Sequence, residues 1–359
     1  MTSVFDAFLR GRAHDMLTIA PEIATPRLFS DAKHEHIATR RAAGLFDFSF
    51  MGCLEIKGPG SLAFLHAVQT RTLHALATNR IAYTLLLRDD GTVLNDATVW
   101  RHADDRYWLF VGRRNDLVHF AASGNAFDVT LTDISQRHAV IAPQGPASAA
   151  IIARCFDGQD VTLPYYGFRR LEFADCECWL ARIGYSGESG YELVVRADLA
   201  PSLWQALVHA GRTHGLTECG FEAIDTLRIE AGHILFTREL ASPVTPAELG
   251  LTRLVDFYAN DFCGASARRQ HSPLTRRLVG LLPMKEASTT LTLPDQLKAG
   301  CGALTSAAWS PVFERTLGIG FVHPEDAYPG TAVRLMDGRR ARVARLPFYD
   351  PGKVLPRRG

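Results

Sequence analysis

The chain has 359 residues, 47% hydrophobic and 21% charged, with 39 basic against 38 acidic side chains. Those proportions exclude a disordered, collagenous or coiled-coil chain. The net charge of +1 supplies no global field to draw nucleic acid or an anionic membrane surface, and the length allows two or three domains.

In chain order, residues 31–43 (DAKHEHIATRRAA) read as a helix closed by Gly44. LFDFSFMGCLEIKG follows as a strand, and Gly58-Pro59-Gly60 turns the chain into a helix over 61–69. Residues 81–88 form a strand, Asp90-Gly91 a hairpin turn, and 92–101 the returning strand. A strand over 106–111 leads through Gly112 to a helix near 115–122, and 127–132 and 137–142 alternate as strands. From 168 two strands precede a glycine-punctuated loop at 183–191, a strand at 191–196, and helices at 199–214 and 220–233. The Arg-rich stretch 268–277 marks a domain boundary, so that residues 1–270 form the body and 276–359 a small β-barrel domain built from strands near 278–283, 303–306, 317–322 and 331–347. Short antiparallel strands with interspersed helices argue for an α+β fold.

No run of about 18 apolar residues is present, so no membrane-spanning helix is expected. The opening MTSVFDAFLRGRAHD is broken by Asp6, Arg10 and Arg12, unlike a signal peptide. Seven cysteines without a CxxC pair point to reduced thiols and a cytoplasmic chain. His34-Glu35-His36 looks like a metal motif, but i and i+2 diverge on a helix and no HExxH occurs, so no metal is expected.

Alternation along the hairpin strand places Leu94, Asp96, Thr98 and Trp100 on one face. A carboxylate on a partly apolar face needs a partner or a task. Desolvation would raise its pKa and suit it to proton handling or to stabilising a developing cation. The alternative is an Asp beside a hairpin turn, facing water. In Ile183–Glu192 (IGYSGESGYE), glycines at 184, 187 and 190 would let backbone approach a flat ligand, with Tyr185 and Tyr191 able to stack on it. Glu192 offers two parallel acceptor sites, which suit two adjacent N–H donors such as the 2-amino-4-oxo edge of a pterin. An ordinary turn with a solvated Glu fits the spacing equally well. Asp225 and Arg228 stand at i, i+3 on the helix over 220–233 and can simply pair. Arg113 and Arg114 follow Gly112 before a helix start and read either as a solvated pair or as an anion attractor.

The order of the pieces resembles the aminomethyltransferase (glycine-cleavage T-protein) family. The matching stretches are AGLFDFSFMG at 43–52, AYTLLLRDDGTVLNDATVWR at 82–101, GYSGESGYEL at 184–193 and DTLRIEAGHILF at 225–236. TPAELGLTRLVDF at 245–257, SP at 310–311, LGIGFV at 317–322 and LPFY at 346–349 complete the set. The resemblance implies a three-lobed, folate-binding body with a small C-terminal β-barrel domain and tetrahydrofolate as cofactor. It places Asp96 near the reacting folate nitrogens as the catalytic acid and Glu192 on the pterin edge. It places Tyr83, Tyr185 and Arg228 along the folate site, Met51 near its reacting end, and backbone from Val111 through Arg113 to Asn115 along the p-aminobenzoyl group.

Departures from the family pattern point to the donor. The family's usual SHMG is Ser49-Phe50-Met51-Gly52 here, and its PLYGHEL is Ile234-Leu235-Phe236-Thr237-Arg238-Glu239-Leu240. Phe50 and Phe236 therefore stand as substrate-side residues of a more apolar pocket. That implies a demethylase acting on a small N-, O- or S-methyl donor, with no nucleic acid or membrane partner. The alternatives are the glycine-cleavage aminomethyltransferase, partnered by a lipoyl carrier protein, and a non-catalytic folate-binding factor of iron–sulfur assembly. The last carries a KGCxxGQE motif, for which Asn260–Ser266 (NDFCGAS) is a poor match.

Overall fold

The computed structural model describes residues 4–20, 23–256, 261–269, 274–284, 303–334 and 340–358. A five-stranded antiparallel sheet runs in the order Arg80–Leu87, Val93–Ala103, Arg106–Val111, Gly52–Lys57, Thr130–Asp133. A six-stranded sheet runs Phe168–Phe173, Cys176–Ala181, Glu192–Arg196, His138–Gln144, Ala43–Asp47, Leu216–Glu218, with only the last pair parallel. A third sheet, Ala303–Ser310, Arg315–Val322, Arg277–Pro283, Arg340–Ala344 and Ala332–Arg334, belongs to the C-terminal part. A small ribbon, Asp15–Ala20 with Ile23–Leu28, precedes them and was not legible in the sequence pattern.

The first two sheets meet across one apolar layer. Trp100, Trp108 and Phe110 enter it from the five-stranded sheet, and Phe46, Val140, Ala142 and Val194 from the six-stranded one. Ala223, Ile224 and Leu227 of helix Phe221–Glu230 close it. Each large side chain buried there contributes about 1.5–3 kcal/mol relative to exposure. The layer thus fixes how strand ends from the two sheets face each other.

Three expectations are corrected, each for a physical reason. LFDFSFMGCLEIKG is two strands in two sheets, Ala43–Asp47 and Gly52–Lys57, joined by a turn in which Met51 N–H donates to Phe48 O at 3.1 Å. Every residue of Ala43–Asp47 is buried, and a strand covered on both faces shows no alternation that would betray its end. Gly44 does not close the first helix, which spans Ala32–Arg41 and is N-capped by Asp31. Gly44 lies in the next strand, where a Cβ would come within 2.2 Å of Thr39 Oγ1; glycine there admits a close approach of strand to helix. Strand Val93–Ala103 contains a bulge, with Leu87 opposite Val93 and Leu86 opposite Asn95, so Leu94 is extra. Leu94 thereby leaves the face of Asp96 and packs with Ala97 and Val99 on the other side.

Near 115–122 the chain forms a short 3-10 turn, Arg114–Leu117, and then helix Val118–Gly124. The boundary stretch 268–277 falls partly outside the described residues, at 270–273. The His34-Glu35-His36 motif is used inside the fold. Glu35 accepts the N–H of Phe29 at 2.8 Å and of Gly220 at 2.7 Å, and His36 Nε2 lies 2.9 Å from Glu230 Oε1. Among the described residues no helix is long and apolar enough to cross a membrane, and no side-chain group is placed to hold a metal.

Buried charges tie the third sheet to the body. Arg228 is fully buried; its Nη1 donates to Glu239 at 2.9 Å and its Nη2 to Ser306 Oγ at 2.7 Å. Thr305 and Ser306 each donate to Glu239 Oε1 at 2.6 Å. Glu230 receives Arg40 Nη2 at 2.6 Å and the Ser310 hydroxyl.

Candidate functional site

Beyond the bulge at Leu94, alternation puts Asp96, Thr98 and Trp100 on one face, with Leu85, Tyr83 and Ile81 opposite them. Tyr83 pairs with Thr98, which makes Asp96 its diagonal neighbour, and Tyr83 OH donates to Asp96 Oδ2 at 2.9 Å. Burial raises the Asp96 pKa above the usual carboxylate range, opposed by the Tyr83 hydrogen bond and by its own peptide N–H. Burial, reinforced by the neighbouring Asp96 charge, holds Tyr83 well above the ordinary phenol range, so it remains a donor.

Glu192 begins its strand opposite Ala181 and shares a face with Val194, pointing into the layer between the sheets. It is 8% exposed, and no described residue hydrogen-bonds its carboxyl group. Burial alone pushes it up to about 8. A carboxyl group at 8% exposure without a protein donor is open to a ligand, and a flat ligand edge with two adjacent N–H groups suits its two acceptors.

Tyr166 is a site residue that the sequence pattern did not reveal. It has φ +61, a conformation uncommon for an aromatic residue. It lies close enough to both Tyr83 and Glu192 for their charges to act on one another, and its ring meets Tyr165 at 4.6 Å. The only sequence signal is a pair of tyrosines between Pro164 and Gly167. Tyr185 comes to the same group: Asp96 bears on its phenol, and its OH donates to Ile234 O. His233 stands 5.5 Å from the Tyr185 ring, kept neutral because burial and the nearby Lys353, Arg228 and Arg40 depress its pKa to about 3.

The glycines of the 184–190 loop serve the protein rather than a ligand. A Cβ at Gly184 or Gly190 would come 2.1 or 2.5 Å from Gln144 Oε1, and one at Gly187 would come 2.8 Å from Ala231 Cβ. Gln144 holds the loop by donating to Tyr191 O at 3.1 Å and accepting from Ser186 Oγ at 3.0 Å. Tyr191 packs on the far side of the six-stranded sheet, away from Glu192, which removes it as a stacking residue.

The turn at 48–51 resolves a conflict that strict alternation would create between Phe50 and Met51. Both side chains are half-buried against the layer between the sheets. The Phe50 ring lies 6.0 Å from Phe48 and 6.1 Å from Phe221, and it also packs on the cluster that holds Phe236 and Leu85. Phe236 is buried against Gly112, where a Cβ would come within 2.6 Å of its ring. Arg113 lies over that ring at 5.8 Å and donates to Phe236 O at 3.3 Å, and Arg114 donates to Ser49 O at 2.9 Å. Val111 is buried between Gly52 and Ala97. Arg228 stands behind Tyr185 with its nitrogens on Asp225, His233 O, Glu239 and Ser306, bracing the wall.

Residues 12–259 match the GCVT N-terminal domain, and residues 276–350 match the Glycine cleavage T-protein C-terminal barrel domain. With the two-sheet body and the C-terminal sheet, this defines a tetrahydrofolate-dependent transferase. Aminomethyltransferases of Anoxybacillus flavithermus and Streptomyces coelicolor are 34% and 35% identical, over 91% of this chain and 93% and 92% of theirs. The glycine cleavage system aminomethyltransferase T from Bartonella henselae is similar in structure, with a TM-score of 0.83 and 25% identity over 96% of this chain and 97% of that one. The chain belongs to the aminomethyltransferase (glycine-cleavage T-protein) family.

Proposed function

We propose that this chain transfers an aminomethyl group from a dihydrolipoyl sulfur to tetrahydrofolate, releasing ammonia and the free thiol and leaving the carbon as methylene-tetrahydrofolate. Its carrying observation is the pairing of a Tyr83-bonded Asp96 with the unpartnered carboxyl of Glu192 across one apolar layer. Relatives over about nine-tenths of the chain are named aminomethyltransferase, which favours this alternative over demethylation, the reading that Phe50 and Phe236 put first. The partner in this reading is a lipoyl carrier protein in the cytoplasm. Residues 1–270 carry the site and 276–359 brace it.

When bound, tetrahydrofolate supplies the nucleophilic nitrogens that accept the carbon. Glu192 accepts two adjacent N–H donors of the pterin, and Tyr83, Tyr166 and Tyr185 provide flat, apolar walls. Met51, Val111 and the backbone to Arg113 border the remainder. Asp96 sets a fixed negative charge where positive charge develops as the donor bond breaks. Its raised pKa also suits it to exchange a proton with the departing amine. Tyr83 holds that carboxylate in one orientation.

A second reading, demethylation of a small methyl compound, draws on one observation: Phe50 presents a wall without hydrogen-bonding atoms beside Met51. Mass spectrometry of the folate product separates the two. Incubation with aminomethyl-dihydrolipoamide should yield methylene-tetrahydrofolate; methyl-tetrahydrofolate from an N-, O- or S-methyl donor, and none from the lipoyl donor, would reverse the order. Phe50→His is a second discriminator. With the lipoyl donor it should keep or raise kcat/KM. With an apolar methyl donor it should cost about 1–3 kcal/mol in transition-state binding. A parallel loss of folate affinity would make Phe50 a core residue only.

A further inference from the structure

Asn95 lies between the extra residue of the bulge and Asp96, and it is fully buried. Leu85, opposite Asp96, turns to Thr70 instead: its N–H donates to Thr70 Oγ1 at 3.3 Å and its carbonyl accepts Thr70 N–H at 3.1 Å. The ladder to strand Arg106–Val111 begins one residue later, at Ala97 opposite Val111. The Asp96 N–H thus sits just beyond the end of the neighbouring strand, and it donates to Asn95 Oδ1 at 2.9 Å. Asn95 Nδ2 donates in turn to Asp116 Oδ2 at 2.8 Å. Only this orientation of the amide satisfies both contacts, because a peptide N–H needs an acceptor and a carboxylate needs a donor.

Asp116 is 4% exposed, its own N–H donates to Arg113 O at 3.0 Å, and Arg113 Nη1 lies 3.8 Å from its Oδ1. It lines a cavity of about 500 Å³ together with Leu94, Arg113 and His119. Leu94 packs on the face of the sheet opposite to Trp100, so this support reaches Asp96 from behind. The peptide N–H that Asn95 grips also bears on the Asp96 carboxylate itself. Fixing that peptide plane fixes the direction in which the carboxylate leaves the strand.

We propose that Asn95 and Asp116 are positioning residues, which lock the Asp96 peptide from the far face of the sheet and so aim its carboxylate at Tyr83 and the folate site. The inference rests on the reading of Asp96 as the reacting carboxylate.

The test uses the full chain with Asn95→Ala, Asn95→Asp, the swap Asn95→Asp/Asp116→Asn, and Asp96→Asn as reference. Hydrogen exchange of the Asp96 amide, tetrahydrofolate calorimetry and turnover with aminomethyl-dihydrolipoamide are read on each. In Asn95→Ala the Asp96 amide should exchange on the order of tenfold faster, with Thr98 and Val99 unchanged, and turnover should fall by about tenfold or more at nearly constant tetrahydrofolate affinity. Asn95→Asp sets carboxylate against carboxylate and should lose as much. The swap restores an acceptor for Asp96 N–H and a donor between the pair, and it should recover turnover to within about threefold. A swap no better than Asn95→Asp, or a folded Asn95→Ala with unchanged amide exchange and turnover, would overturn the proposal. If Asp96→Asn is fully active, the reading beneath it falls and takes it along. If Asp96→Asn is inactive and the swap still fails, only the positioning role is lost.

Discussion

Asp96→Asn should lower turnover by about 10²–10⁴-fold, the usual range for a positioned acid–base group, while tetrahydrofolate affinity changes little. The substitution keeps the size of the side chain and an oxygen for the Tyr83 hydroxyl, which donates to Asp96 at 2.9 Å. It removes the negative charge, which in this half-buried position is only partly screened by solvent. Turnover at saturating donor and tetrahydrofolate, set beside calorimetry, separates chemistry from binding. Turnover within about twofold of the parent, well short of an acid–base contribution, would make Asp96 a structural residue.

Glu192→Gln should weaken tetrahydrofolate by about 1.5–3 kcal/mol, the scale of a hydrogen bond to a charged group, and should also flatten the pH dependence of binding. Burial raises the Glu192 carboxyl to about 8, so below that pH the folded protein holds it neutral. A ligand edge with two N–H donors needs the carboxylate. Affinity should therefore increase as pH rises towards 8 and level off above it, with a proton released on binding in the lower range. Stability runs the other way. The folded pKa lies above the unfolded value of about 4.3, so the folded state binds the extra proton between the two. The contribution is full below the unfolded value and is lost as pH rises through about 8. Saturating tetrahydrofolate should consequently raise Tm more at about pH 8.5 than at about pH 6, where the carboxyl is still protonated. Tyr166, the neighbouring phenol, stays neutral throughout because burial raises it further. Equal thermal shifts at both pH values, or an unchanged affinity in folded Glu192→Gln, would remove Glu192 from the pterin edge.

Much of this site was legible before the fold was known, and the gaps have physical causes. Asp90-Gly91 marks its hairpin, since Gly91 takes φ +78 there, and counting from the turn finds Asp96. The bulge at Leu94 was invisible because a bulged and a regular strand can share one composition; only pairing reveals the extra residue. Tyr166 was missed because positive φ has a residue signature for glycine and none for tyrosine. Gly184 and Gly190 announced a close approach, but what approaches them is Gln144 and not the flat ligand that was expected. The resemblance carried Glu192, whose burial no local pattern could supply, because it depends on a facing sheet distant in sequence.

The charges that join the C-terminal sheet to the body have a bearing on how such a chain could be reshuffled in evolution. Arg228, Glu230 and Glu239 are each fully buried, and their partners include Thr305, Ser306 and Ser310 of the other part. Removing a hydroxyl that hydrogen-bonds a buried charge costs about 1.5–3 kcal/mol, a sizeable fraction of a typical domain's stability. A recombination event that brought in a foreign C-terminal segment would have to carry hydroxyls at those three strand positions, or alter the three charged residues at the same time. These hydroxyl–charge contacts favour inheritance of the C-terminal sheet together with the body that it fits.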